Sequence, residues 1–218
     1  SAKEYEAIVV VDGAQALGLV PISLKNSPID FYVFAGHKTL YGPTGISGFI
    51  MKPDINLPPV LFGGTGYDSA NQDMPDSLPE KYEMGTSNIA GIAGLNAALQ
   101  WNQKIGIQNI FEHEQKNRKK LLEILSPYDF ITIVGNASAQ QYVGIVSCLF
   151  DGISSDIAGS LLSEHGVSVR TGLQCAPLAH KFLGTYPAGT IRFSVGHFTS
   201  EEDYNALTNA LDYIDQNI

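Results

Sequence analysis

Apolar and polar positions follow two rhythms along this chain, and the switches between them mark its elements. Residues 7–11 are apolar throughout and end in Asp12-Gly13-Ala14-Gln15. A run with no polar face predicts a strand buried on both sides. The run Phe31–Ala35 stops at Gly36 and predicts a second strand, and residues 46–51 predict a third. From 53 to 88 the rhythm is lost among Pro58-Pro59, Gly63-Gly64-Thr65-Gly66 and several Asp, Asn and Ser. A loop this long inside a compact domain is functional or lies at an interface.

At Ile89 the period changes to that of a helix, over Ile89–Ile105 and again over Ile107–Leu125. The second helix carries His113, Glu114, Lys116, Arg118, Lys119 and Lys120 on what reads as a solvated face. Gly106 breaks the two, which puts a domain boundary there and predicts domains of 1–105 and 106–218. Beyond it, strands at 130–134, 143–150, 167–170 and 190–195 alternate with helices at 156–165 and 200–214. This pattern predicts a small α/β domain with a partly antiparallel sheet.

Composition narrows the function classes. Apolar residues make up 44% and charged residues 16%, as in ordinary globular proteins. The formal charge of -9 works against binding a phosphate polymer, so no nucleic acid is expected. No apolar run is long enough for a bilayer and S-A-K-E-Y-E is not a signal peptide, so the expected place is the cytoplasm, with no membrane partner. The chain opens, without an initiator Met, almost directly on what reads as a central strand, which suggests a piece of something longer. The glycines at 36, 42, 45 and 48 form neither GxGxxG nor a P-loop and read as backbone room beside a ligand. His165, His180 and His197 lack metal-ligand spacing, so no metal is expected.

Several residues carry candidate chemistry. Asp12 stands at the carboxyl end of a strand, where open α/β sheets bind ligands, although an Asp there also caps a following turn. His37 and Lys38 follow the second strand. In a dry pocket desolvation disfavours an ammonium and leaves an amine able to attack a carbonyl; the other reading is a lysine snorkelling from a strand end. Thr86 or Asn88 caps the helix at Ile89 unless it has a binding role. Cys148 lies in an apolar strand and reads as inert core, whereas Cys175 lies in a turn-rich segment near Arg170, where basic neighbours favour a reactive thiol.

Five segments in order, V-D-G-A-Q (11–15), G-H-K-T-L-Y-G-P-T-G (36–45), E-M-G-T-S-N (83–88), R-T-G-L-Q-C-A (170–176) and I-R-F-S (191–194), resemble the cysteine desulfurase branch of the class V aminotransferases. These are pyridoxal 5'-phosphate (PLP) enzymes of fold type I. The resemblance implies a partial large domain with a mixed, mostly parallel sheet, followed by a small C-terminal α/β domain. It implies that Asp12 pairs with the pyridinium nitrogen, Ala14 packs under the ring and Gln15 bonds the phenolic oxygen. Lys38 would carry the cofactor covalently and shuttle the Cα proton, His37 would contact the phosphate, and Thr86 would reach the phosphate of the neighbouring subunit in a homodimer. Arg192, with Arg170, would bind the substrate carboxylate. Cys175 would take the sulfur of L-cysteine as a persulfide, release alanine and hand the sulfur to an acceptor protein.

Two residues depart from the family pattern: Ala35 replaces a phosphate-binding Ser, and Thr39 is an added residue after the lysine. The family's long N-terminal segment, with its glycine-threonine phosphate turn and ring-stacking residue, has no counterpart in this sequence. The expectation is therefore the C-terminal half of a cysteine desulfurase. A selenocysteine lyase or another class V reaction stays open, as does a non-catalytic protein-binding or sulfur-carrying module.

Overall fold

The computed structural model describes residues 2–66, 68–135 and 142–217; Tyr67, inside the expected 53–88 loop, lies outside the described residues. The chain divides into compact units of residues 1–109 and 110–218. The division falls in the first turn of a helix, close to Gly106.

Unit 1 holds strands β1 (Val10–Asp12), β2 (Phe31–Ala35) and β3 (Ser47–Met51) and helix α1 (Ile89–Ile105). β1 runs parallel to β2, with Asp12 opposite Val33, and β2 runs antiparallel to β3, with Ala35 opposite Ser47. The sheet is mixed, as expected, and its described strands form one parallel and one antiparallel pair. The antiparallel pair arises because the 36–46 turn reverses the chain, closed by Gly36 N donating to Ile46 O at 3.0 Å. Buried Asp30 ties the strand starts together, accepting from Val9 N at 2.7 Å and pairing with Lys52 at 3.3 Å.

The expected burial of the first strand on both faces is not realised here: Val10 is 61% exposed, and Val33, Phe49 and Ile50 on the neighbouring strands are exposed too. Two apolar faces need a layer on each, and unit 1 buries only Leu19, Tyr32 and Leu40 among its described hydrophobic residues.

Unit 2 holds most of helix α2 (Ile107–Leu125), then β4 (Ile131–Ile133), β5 (Ile145–Phe150), α3 (Ser155–Glu164), β6 (Arg170–Gly172), α4 (Pro177–Phe182), β7 (Thr190–Ser194) and α5 (Glu201–Asp215). The sheet order is β4-β5-β7-β6 and every neighbouring pair is antiparallel, where a partly antiparallel sheet was expected. The short return through α4 lays β7 between β5 and β6, running opposite to both. Alternation along the strands sends Val146, Cys148, Phe150, Ile191 and Phe193 to one face. There they meet Leu121 and Leu125 of α2, Ala158 and Leu162 of α3, and Tyr204, Leu207, Leu211 and Ile214 of α5. Ser200 and Asp203 form a capping box that starts α5.

The polar face of α2 is not simply solvated. Lys116 and Lys119 are exposed, but Glu114 and Arg118 are buried. Glu114 Oε1 accepts from Gly144 N at 2.6 Å, neighbouring Asn117 Nδ2 donates to Gly196 O at 2.8 Å, and Arg118 lies over the Tyr142 ring at 4.6 Å. These side chains serve the segments entering β5 and leaving β7, whose backbone groups would otherwise be buried without partners.

Two outcomes follow from this core. Cys148 sits on the core face with its thiol pushed up to about 12 by burial. Cys148→Ser places a hydroxyl among apolar side chains and is expected to cost about 1–3 kcal/mol; urea unfolding reads the loss. Burial raises the Glu114 carboxyl, partly offset by the Gly144 N–H. A raised acid binds its proton more tightly when folded, so its contribution is present at low pH and lost as pH rises through the folded value. Glu114→Gln keeps an acceptor without the charge, so unfolding midpoints should rise at neutral pH and change little in mild acid.

Candidate active site

In unit 1 the parallel pairing sets the carboxyl ends of β1 and β2 side by side. Asp12 closes β1, and Gly36-His37-Lys38 follow Ala35 at the end of β2, so carboxylate and amine share one sheet edge. Asp12 also does the capping work: its Oδ1 accepts from Ala14 N at 3.0 Å, and Gly13 O takes Ala16 N at 2.9 Å and Leu17 N at 3.0 Å. Ala14 is half-buried in this turn and Gln15 is exposed.

The turn carrying Lys38 is held from three sides. Tyr41 N donates to Lys38 O at 3.0 Å and Gly42 N to Gly36 O at 2.7 Å. Asn102 of α1, itself buried, donates to Leu40 O at 2.8 Å. Thr39 donates through Oγ1 to Leu17 O at 2.7 Å and staples the lysine turn to the Asp12 turn. Gly18 (φ 91) fits this junction because a Cβ there would meet Thr39 O at 2.7 Å. Thr39 thus links the two turns that carry Asp12 and Lys38. His37 and Lys38 are both exposed, so unit 1 does not itself enclose the amine.

The glycines beside the lysine make room for the chain itself. A Cβ on Gly36 would meet Ile46 O at 2.8 Å, one on Gly42 would meet Gly36 O at 2.8 Å, and one on Gly48 would meet the Phe34 ring at 2.9 Å. Their absence of side chains lets the turn close on the sheet.

Asn88, not Thr86, caps α1. Its Oδ1 accepts from Gly91 N at 3.0 Å and its Nδ2 donates to Gly45 O at 3.1 Å, which joins the G-P-T-G turn to the helix start. Thr86 is exposed beside it. Within the preceding loop, Tyr82 Oη donates to Leu57 O at 2.9 Å and Lys81 Nζ donates to Asn56 Oδ1 at 2.6 Å, while Val60, Leu61 and Phe62 face outward.

In unit 2 register creates a second cluster. Arg170 of β6 stands directly opposite Arg192 of β7, and Arg192 is in turn opposite Ser147 of β5. Alternation puts this row on the face away from the helices, since the neighbours Thr171 and Ile191 point toward them. The half-buried Arg192 guanidinium is pulled below its ordinary value by desolvation and by the Arg170 charge, with Cys175 acting in the opposite sense. Its Nε is buried without a hydrogen-bond partner among the described residues. Cys175 is exposed, with its sulfur 3.3 Å from Arg170 Nη2. Two guanidiniums in register repel one another unless an anion sits with them, so the cluster suits a carboxylate. The turn-rich stretch after Cys175 is in fact α4, started by Pro177 in its first turn. His180 is buried with Nδ1 2.7 Å from Thr185 Oγ1, a satisfied core imidazole.

Sequence reasoning passed over Asn102, Gln174 and the linking role of Thr39. Each acts by a side-chain bond to a backbone carbonyl, which carries no periodic signature. The spacing from Asn88 to Gly91 did carry the cap signal.

The polar groups on the unit 1 edge are a carboxylate, an amide, an imidazole and a primary amine, a set that fits the ring nitrogen, phenolic oxygen, phosphate and aldehyde of PLP. Comparison with known proteins leads the same way. The sequence matches the aminotransferase class-V family over residues 1–207. A cysteine desulfurase of Haloferax volcanii is 33% identical over 97% of this chain, and one of Escherichia coli is 34% identical over 98%. The chain spans about half the length of these curated relatives, 50% and 52%. The apo cysteine desulfurase of Thermococcus onnurineus superposes with a TM-score of 0.86 at 30% identity, over 100% of this chain and 55% of that one. An Escherichia coli cysteine desulfurase structure gives 0.85 at 31% identity, over 97% and 52%. With the family match running over residues 1–207, through both units, the chain belongs to the class-V aminotransferases.

Proposed function

We propose that this chain supplies the C-terminal half of a PLP-dependent cysteine desulfurase, which converts L-cysteine to L-alanine and keeps the sulfur as a persulfide on Cys175. The observation that carries the reading is the Cys175 sulfur 3.3 Å from Arg170 Nη2, beside an Arg192 set in register with that same arginine. Paired guanidiniums can grip the carboxylate of an amino acid, and the thiol beside them can then take the sulfur from that substrate's side chain.

When bound, PLP supplies an electron sink at the substrate Cα, which lets the substrate Cβ–S bond break. Asp12 would hold the ring nitrogen, Ala14 would pack against the ring, Gln15 would bond the phenolic oxygen and His37 would bind the phosphate. Lys38 would hold the cofactor and move the proton at the substrate Cα. Arg192, with Arg170, binds the substrate carboxylate. The Cys175 thiolate attacks the substrate sulfur: an S–S bond forms, the Cβ–S bond breaks, and its electron pair stays with the carbon, which is protonated and leaves as alanine. An acceptor protein then takes the persulfide sulfur.

The complete protein is a homodimer in this reading, with residues 63–88 at the interface and Thr86 reaching the partner's phosphate. The outward-facing Val60, Leu61 and Phe62 beside that segment support it. Light scattering that finds a fully active monomer would remove the dimer. The activity is tested by incubating the complete protein with L-cysteine and PLP, then taking intact mass and mapping peptides. One added sulfur on the Cys175 peptide, with alanine released, is expected; alanine release with the sulfur on another residue, or no alanine at all, refutes the assignment.

A further inference from the structure

Gln174 immediately precedes the thiol, and the reading above gives it no role. Its side-chain amide nitrogen lies 3.0 Å from Arg170 O, 3.3 Å from Gly172 O and 3.4 Å from Thr190 O. Those carbonyls belong to the two ends of β6 and the first residue of β7. One amide therefore spans the strand pair beneath the loop, and its Oε1 is buried without a partner among the described residues. Gln174 (φ 52) and Cys175 (φ 64) both adopt the left-handed backbone region. Two successive non-glycine residues stay there only when surrounding contacts hold them. Arg170 completes the arrangement, because its carbonyl accepts from Gln174 while its Nη2 lies 3.3 Å from the Cys175 sulfur.

We propose that Gln174 is the positioning residue of the Cys175 thiol. By fixing the left-handed pair against β6 and β7, its amide keeps the sulfur on the Arg170 guanidinium and within the field of Arg192. The proposal rests on Cys175 being the reactive thiol, and it concerns only where that sulfur is held. A purely structural glutamine would change how fast any reagent reaches Cys175. A positioning glutamine also changes how strongly the sulfur's surroundings favour an anionic reagent.

The test therefore compares alkylation of Cys175 by iodoacetate and by neutral iodoacetamide in the 218-residue chain. Buried Cys148 reports folding, since it stays unlabelled while the core is intact. Gln174→Ala and Arg170→Ala should each lower the iodoacetate-to-iodoacetamide rate ratio by about fivefold, the scale of one near-surface charge interaction weakened by a few ångström. The double variant should fall no further than Arg170→Ala, because both changes break the same contact. Gln174→Gly, which tolerates the left-handed backbone but lacks the amide, and Gln174→Met, which keeps length without donors, give the same reading. Whichever of the three leaves Cys148 protected supplies the ratio.

An unchanged ratio in a folded Gln174 variant, or losses that add in the double variant, overturns the proposal. A lowered ratio alongside a complete protein that makes no persulfide keeps the positioning role and sinks the desulfurase reading. Persulfide formation alongside an unchanged ratio does the reverse.

Discussion

Cys175→Ser in the complete protein is expected to abolish persulfide formation and to cut alanine release by about a thousandfold or more, the scale lost when a covalent nucleophile is removed. The cofactor should stay bound at the wild-type level. Cys175 belongs to unit 2 and bonds through its sulfur to Arg170, whereas Asp12, Gln15, His37 and Lys38 lie on the sheet edge of unit 1. A hydroxyl beside two guanidiniums still satisfies Arg170 as an acceptor, so the loop should hold its place. The measurement is alanine release together with the visible absorbance of bound PLP. Sustained turnover in the variant would take Cys175 out of the mechanism, and loss of the bound absorbance would show that the two clusters are not separable.

The 218-residue chain alone is expected to hold PLP at least about a hundredfold more weakly than the complete protein and to show no desulfurase turnover. Gln15, His37, Lys38 and Thr86 are exposed here, and exposed donors exchange a ligand's hydrogen bonds for those of water. Charge-assisted bonds contribute about 1.5–3 kcal/mol each, so two that are not retained account for about a hundredfold. Adding PLP, reducing with borohydride and mapping the labelled peptide gives the answer. Stoichiometric labelling of Lys38 at micromolar cofactor would mean that the unit 1 edge suffices by itself.

The sequence alone determined the elements whose signal is local. The helical periods of α1 and α2, the apolar run of β2, the break at Gly106 and the contrast between buried Cys148 and exposed Cys175 are all readable within short windows, because they depend on neighbours along the chain. The order of the five motifs was readable in the same way and pointed to the family.

Tertiary structure decided what depends on partners far along the chain. The strand expected to end at Arg170 begins there instead, and that shift places Arg170 opposite Arg192 and next to the thiol; a one-residue slip would turn the arginine toward the helices. Glu114 and Arg118 read as solvated until the segments around Gly144 and Tyr142 fold over them. Thr39, Asn102 and Gln174 look like ordinary polar residues, and only folding brings Leu17, Leu40 and Thr190 within their reach. The apolar run at 7–11 shows the converse limit. Its pattern specifies two buried faces, but burial belongs to whatever packs against a strand, and in this chain Val10 meets solvent.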